Sequence, residues 1–364
     1  MKVIITILDG IKETSMPFNE FVLWRANHYK DERQHLIICN NEAPLPKVFI
    51  PDSIQIDYIG KNVLTWRKAI IRVLNKYDAE GVQYAIHLHQ AGPSMKIFLT
   101  MMGTKFWRNT VFTVHNSFKG YPIHNKIRSY FDGCMAKYVV CCGKSSFESY
   151  PKSVKHMKGD RVLFIQNGVD TERIDGMIDS VGTVNSAKYV VFTYVARMVP
   201  VKNHGFLIDV IKKSSPKAKF LLIGKPEEVI SRRIKDEGLS DRVEVTGLIP
   251  RNEVFRKLKA SDVYVSTSTL EGLPVSVLEG MYVGLPVVLS DIPQHREVVG
   301  SHVFAKLLPF DVDEWVAVIN NCVEMSSEQR TLLGKNSRVY VRDHFSLITM
   351  HRQYDRIYKQ IMSN

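Results

Sequence analysis

No run in this chain approaches the roughly 18–20 consecutive apolar residues that a membrane-spanning helix needs. At the amino end, MKVIITILDG has one lysine and a short apolar run but no small-residue cleavage site. It therefore reads as a first β-strand rather than a secretion signal. Cysteine is scarce: Cys39, Cys134, Cys141, Cys142 and Cys322 form an odd set without a CxxC spacing. That argues for buried thiols in a reducing compartment and against a disulfide framework. Cys141 and Cys142 are adjacent in a strand-like run, so their side chains should point to opposite faces. No His/Cys cluster has zinc-ligand spacing. Low-complexity segments and short internal repeats are also missing.

What is present is an ordinary globular composition, 45% hydrophobic and 24% charged, over 364 residues. A single core stops growing near about 250–300 residues, so two domains are expected. The organisation of apolar, β-branched runs agrees. In the first half they are Val3–Leu8, His35–Cys39, Ile54–Ile59, Tyr84–His89, Thr110–His115, Tyr138–Cys142 and Val162–Gln166. In the second half they are Val190–Ala196, Lys219–Ile223, Val243–Thr246, Val263–Thr267 and Pro286–Ser290. Short buried strands alternating with helices predict parallel sheets covered on both faces, and two such sets predict two doubly wound α/β domains. The segment Asp175–Lys188 (DGMIDSVGTVNSAK) lacks periodicity and reads as the linker. The expected division is 1–175 and 189–345, with a final helix at 346–364.

Two helices carry clear stripes. Val63, Trp66, Ile70, Val73 and Tyr77 share one face, flanked by Lys61, Arg67, Lys68, Arg72 and Lys76. A core-packed helix with a basic outer face is favoured over one lying on a membrane surface. After a candidate cap at Ser346, Met350, Tyr354, Ile357 and Ile361 form a second stripe, suited to packing back onto the first domain. The net charge of +12 is uneven: residues 96–160 hold eleven Lys/Arg against three Asp/Glu. Such a patch suits anionic lipid, phosphorylated substrates or nucleic acid, or is simply a solvated face. No aromatic or arginine readout motif for nucleic acid accompanies it, so a nucleic-acid partner is not expected.

The chemistry-bearing signal is SDVYVSTSTLEGLPVSVLEGMYVGLPVVLSD, residues 261–291, which reads strand, tight loop, helix, strand. Pro274 suits a first helical turn, and Gly272 permits close approach of a ligand backbone. Free N–H groups at the helix start would hold an anion such as a diphosphate. Glu271 falls at a strand's carboxyl end, where open α/β sheets bind their ligands. Glu279 lies five residues beyond Pro274, roughly 7.5 Å along the helix. Carboxylates accept hydrogen bonds from sugar hydroxyls, although two glutamates near a helix start also serve as dipole compensation. Upstream, VARMVPVKNHG (195–205) sets Arg197 and Lys202 five apart in a loop after a strand. Two cations there could neutralise a departing diphosphate, or be surface charges of a solvated loop.

The Arg197/Lys202 pair, followed by Glu271-x7-Glu279 with EGLP at its start, resembles the retaining glycosyltransferase family 4, over about residues 110–364. The resemblance implies the GT-B fold: two Rossmann-like domains facing across a cleft, with a C-terminal helix crossing back to the first. It further implies that Arg197 and Lys202 hold the donor diphosphate, that Glu271 bonds the donor sugar and that Glu279 bonds the ribose hydroxyls. Backbone amides of Gly272 and Leu273 beside Pro274 would meet sugar or phosphate. Gly224 after Ile223, and Leu248 and Ile249 in TGLIP, match the family's nucleotide-base wall. In the first half, His115 of VFTVHNS matches the family's strand-end histidine, facing the donor sugar. IQNGVDTERI matches the entry to the linker, with Asn167 and Gly168 forming a turn. One departure is LDGIKETSMPFNEF, where a single Gly10 stands in place of a glycine pair and Met16 and Phe18 could shape an acceptor entrance.

The resemblance implies transfer of a hexosyl unit from a nucleotide-diphosphate sugar, UDP favoured, to a glycan or lipid-linked saccharide. Polysaccharide assembly at the inner face of a membrane is the expected setting. No cofactor and no metal are expected: Asp311-Val312-Asp313 forms a DxD, but it precedes EWVAVINN and suits a helix cap.

Overall fold

The computed structural model describes residues 2–11, 17–39, 50–89, 91–178 and 188–363. The chain divides into two compact units, Met1–Gln166 with Ile348–Asn364 and Asn167–Leu347.

The first unit is built on a seven-stranded sheet. Its strands are β1 (Lys2–Leu8), β2 (Glu32–Ile38), β3 (Ile54–Tyr58), β4 (Gln83–Leu88), β5 (Thr110–Val114), β6 (Tyr138–Cys141) and β7 (Val162–Phe164). They lie in the order β3-β2-β1-β4-β5-β6-β7, every pair parallel. β1 explains why the runs read as continuous apolar stretches. Val3, Ile5 and Ile7 face one cluster with Trp66, Ile70 and Tyr77, while Leu8 faces another with Phe18, Val22 and Leu36. Both faces of the strand are dry, so period-two alternation is lost. Each such large side chain stabilises by about 1.5–3 kcal/mol on burial.

The helix Val63–Ala79 starts at Asn62, whose side chain accepts from the Leu64 amide at 3.0 Å. Its stripe of Trp66, Ile70, Val73 and Tyr77 is buried in the core, while Lys61, Arg67, Lys68, Arg72 and Lys76 are exposed. The membrane-surface alternative therefore fails, because its apolar face is already covered. The C-terminal helix Leu347–Met362 buries Met350, Tyr354, Ile357 and Ile361. It is pinned within the first unit by polar contacts as well. Buried Arg25 donates to Glu32 and pairs with Asp355 at 2.9 Å, and the His351 ring stacks on Trp24 at 4.5 Å.

The second unit has six strands: β8 (Val190–Val195), β9 (Ala218–Ile223), β10 (Val243–Gly247), β11 (Val263–Ser266), β12 (Val287–Ser290) and β13 (Ala305–Leu308). Their order is β10-β9-β8-β11-β12-β13, again all parallel. Sequence pattern missed β13, an edge strand of four residues whose Lys306 breaks the apolar run. Asp175–Ile178, expected to open the linker, is instead the end of a helix, Thr171–Ile178. Asp175 accepts from Tyr282 Oη at 2.9 Å and Arg338 at 2.6 Å. The remainder of the expected linker, 179–187, lies outside the described residues.

Candidate active site

The strand order fixes where the second unit can bind a ligand. β8 is flanked by β9 on one side and β11 on the other. Connections leaving β8 and β11 therefore diverge and leave a crevice at the carboxyl ends of these strands. The loop after β8 carries Arg197 and Lys202, and the loop after β11 carries Glu271. Lys202 Nζ donates to Glu271 Oε1 at 2.5 Å, and Ser268 Oγ donates to the same oxygen at 2.6 Å.

The two loops are stitched together beneath that pair. Thr269 N–H donates to Val201 O at 2.8 Å, and Thr267 Oγ1 lies 3.1 Å from both Lys202 O and Asn203 O. Buried Tyr194 on β8 donates to Lys202 O at 3.0 Å and contacts Ser268 Oγ at 2.8 Å. Asn203 takes φ 52°, the left-handed region that asparagine tolerates better than most side chains. It ends the short turn Pro200–Lys202 and opens the helix His204–Lys213. Behind Glu271, Ser290 Oγ donates to Ser268 O, and His295 Nδ1 lies 2.7 Å from Ser290 O. Burial lowers the His295 pKa to about 4, so its ring is neutral. Arg197 is exposed, and its guanidinium engages none of the described residues.

Two further loops reach the same sheet end. Gly224 follows β9 with φ 151°, and a Cβ there would lie 2.0 Å from Ala196 O. Only glycine lets this turn pass the backbone leading to Arg197. Gly224 N–H also donates to Gly247 O at 3.1 Å, bringing in the loop after β10. In that loop Leu248 is 75% exposed, an unusual position for a leucine, and Ile249 is half-buried. Gly272, Leu273 and Pro274 are buried at the start of the helix Val275–Val283. Pro274 stands at the cap position, one residue earlier than the sequence suggested. Gly280 lets that helix press on β11, since a Cβ would meet the Tyr264 ring at 2.4 Å.

Glu279 projects from this helix, is buried, and pairs with Arg251 at the start of the helix Arg251–Lys259. Thus each carboxylate of the Glu271/Glu279 pair holds a cation. Arg251 was not picked out from sequence, although it directly follows TGLIP. Ser268, Tyr194, Ser290 and His295 were also missed, because isolated hydroxyl and imidazole groups carry no spacing signal.

In the first unit, Gly10 is half-buried just past β1, whose neighbours β2 and β4 make that strand end a second switch point. His115 follows β5 and is half-buried. Its Nε2 lies 3.1 Å from Nδ1 of His89, which follows β4. Burial lowers the His115 pKa to about 4. Phe18, expected near an acceptor entrance, is instead buried in the core with Leu8, Ile11 and Val22; Met16 lies outside the described residues. Asn167 and Gly168 make no turn. The strand-like segment bridges Val169 to Ser346, and a Cβ on Gly168 would lie 2.5 Å from Ser346 O. Asp311 of the DxD caps the helix Val312–Glu324, accepting from the Asp313 and Glu314 amides at 2.9 and 3.0 Å.

Solved structures give the class of fold. A glycosyltransferase from Rickettsia africae superposes with a TM-score of 0.82 at 18% identity, over 100% of this chain and 99% of that one. The Anabaena protein HepE, solved in complex with UDP and glucose, gives 0.77 at 17% identity over 98% and 99%. The fold is GT-B. Residues 179–340 match the family model Glycosyl transferases group 1. Among curated proteins, UDP-Gal:alpha-D-GlcNAc-diphosphoundecaprenol alpha-1,3-galactosyltransferase of Escherichia coli is 26% identical over 221 residues, 56% of this chain and 55% of that one. The chain spans about half the length of the curated relatives it matches, 55%, 44% and 49% for three of them.

Proposed function

We propose that this protein transfers a hexosyl unit from a UDP-sugar to a saccharide or lipid-linked saccharide, with retention at the anomeric carbon. The observation that carries the reading is the Lys202–Glu271 pair at the carboxyl ends of β8 and β11. A lysine and an exposed arginine beside a buried helix start form a diphosphate site with an adjacent carboxylate for sugar hydroxyls. In this reading Arg197 and Lys202 hold the diphosphate and stabilise the charge that develops as it leaves. Glu271 takes the sugar hydroxyls and Glu279 the ribose hydroxyls. Gly224, Leu248 and Ile249 form the base wall, and amides of Gly272 and Leu273 next to Pro274 complete the phosphate cradle. In the first unit, Gly10 and His115 are assigned to the donor sugar and phosphate.

Transfer is assigned to front-face attack. The acceptor hydroxyl oxygen bonds to the anomeric carbon as the carbon–oxygen bond to UDP breaks, and the departing phosphate oxygen takes the hydroxyl proton. An inverted product would overturn this. UDP is favoured by the UDP complex of HepE and by the named donor of the Escherichia coli relative. That relative's name also carries a diphosphoundecaprenol acceptor, and others are named for capsule and amylovoran biosynthesis. These names support a lipid-linked acceptor in surface polysaccharide assembly.

The reading also takes the enzyme to the surface of an anionic membrane. No helix among the described residues is long and apolar enough to cross one. The helix Ile123–Met135 exposes Ile123, Ile127 and Tyr130, four and three residues apart on one stripe, beside Lys119 and Lys126. Charge reversal at Lys119, Lys126, Arg128 and Lys137 is expected to release the protein from phosphatidylglycerol vesicles. Equal binding by the variant would remove the membrane part of the proposal.

The test of the donor assignment is thermal stability against UDP, GDP, ADP, CMP and their common sugars, with Glu279→Gln as control. A rise with UDP ligands, reduced in the variant, is the expected result. No rise with any nucleotide would sink it.

A further inference from the structure

Three histidines stand in a row in the first unit, and the reading above uses only His115. The ring of His87 lies 3.9 Å from that of His89, which lies 5.3 Å from that of His115. His87 is fully engaged, with Nδ1 2.6 Å from Tyr358 Oη and Nε2 2.7 Å from Thr113 Oγ1. His89 is not. Its Nδ1 meets His115 Nε2 at 3.1 Å, while its own Nε2 is buried with no hydrogen-bond partner among the described residues.

Burial holds all three rings neutral, His87 and His89 well below the ordinary histidine value and His115 at about 4. Two neutral imidazoles sharing one hydrogen bond must divide the roles: one donates and the other accepts. The stranded His89 Nε2 decides which. Buried N–H groups are hardly ever left unpaired, whereas acceptors sometimes are. His89 therefore keeps its proton on Nδ1 and leaves a bare lone pair on Nε2.

We propose that His89 is the positioning residue of His115: its Nδ1–H donates to His115 Nε2, orients the ring and leaves the His115 proton on Nδ1. His115 then offers a fixed N–H to a ligand oxygen, such as a sugar hydroxyl, and does not act as a base. This rests on the assignment of His115 to the donor sugar. It goes further by naming the nitrogen that faces the ligand and the residue that selects it. The arrangement parallels the way a second hydrogen bond fixes which histidine nitrogen is available at metal and catalytic sites.

The test is nitrogen NMR of the full chain labelled with 15N-histidine, with the His115 ring assigned by its loss in His115→Gln. The expected wild-type spectrum has His115 as one neutral tautomer, protonated on Nδ1. His89→Phe keeps a ring of similar size but removes the donor, and is expected to lose the single tautomer and gain the Nε2–H form. His89→Asn restores an N–H close to the same place and is expected to recover Nδ1–H. A wild-type His115 protonated on Nε2, or an unchanged tautomer in His89→Phe, overturns the proposal. Should His89→Phe fail to fold, the wild-type and His89→Asn spectra decide by the same criterion. Unimpaired UDP release from a UDP-hexose by His115→Ala would instead sink the sugar-site assignment, so the two failures are distinguishable.

Discussion

Replacing Asp132 by asparagine should make the first unit more stable, by an amount that grows with pH. Asp132 sits in the helix Ile123–Met135 with no solvent exposure, and neither carboxylate oxygen has a hydrogen-bond partner among the described residues. Ser129 Oγ, three residues earlier, is buried and unpartnered as well. Burial pushes the Asp132 pKa from 3.8 up to about 9, against the pull of Arg128 on the same helix. The folded protein thus keeps a proton at pH 7 that the unfolded chain releases near pH 4. Where the folded state binds more protons, stability falls as pH rises. The loss begins above the unfolded pKa, runs at about 1.4 kcal/mol per pH unit, and levels off above the folded pKa. Between pH 4 and pH 7 it reaches about 4 kcal/mol. Asp132→Asn has no proton to lose, so its stability lacks this slope. Hydrogen exchange of the helix Ile123–Met135 in rising urea isolates the first unit. Measured at several pH values in both proteins, the difference cancels every other titrating group. Parallel curves for wild type and variant would refute the reasoning.

Lys202→Met removes the ammonium held on Glu271 and is expected to lower turnover about 100- to 1000-fold, read as UDP release. Arg251→Ala leaves buried Glu279 without its cation. It should cost about 1–3 kcal/mol, less than a fully buried pair because the guanidinium is partly in solvent, with partial recovery in Arg251→Ala/Glu279→Gln; chemical denaturation of both variants checks this. Gly334→Ala would set a Cβ 1.8 Å from Gly284 O, a backbone atom that cannot swing away. A loss of about 1–3 kcal/mol or more is expected by calorimetry. Gly176→Ala, with nothing within 4 Å of the new carbon, is its control and should be neutral or stabilising by about 0.5–1 kcal/mol.

Periodicity and composition by themselves determined the two parallel sheets, twelve of their strands, the core-facing stripe of the helix Val63–Ala79 and the apolar face of the C-terminal helix. These follow from local sequence because burial on both faces of a strand, or on one side of a helix, leaves a repeat that can be read residue by residue. The Arg197/Lys202 pair and the Glu271/Glu279 spacing were legible because each falls within a short stretch of chain, and the resemblance to a known family, not periodicity, marked them.

Contacts between distant segments were decided only by the tertiary structure. Lys202 meets Glu271 across 69 residues, and Glu279 meets an arginine that no motif had marked. His89 meets His115 because β4 and β5 pair in parallel, so that their carboxyl ends lie side by side. Phe18 went to the core rather than to an entrance, since an aromatic side chain in an aperiodic segment gives no sign of the surface it will cover. Strand order is the physical reason behind most of these. Placing β8 between β9 and β11 brings remote loops to one sheet end, and nothing local in the chain encodes that neighbourhood.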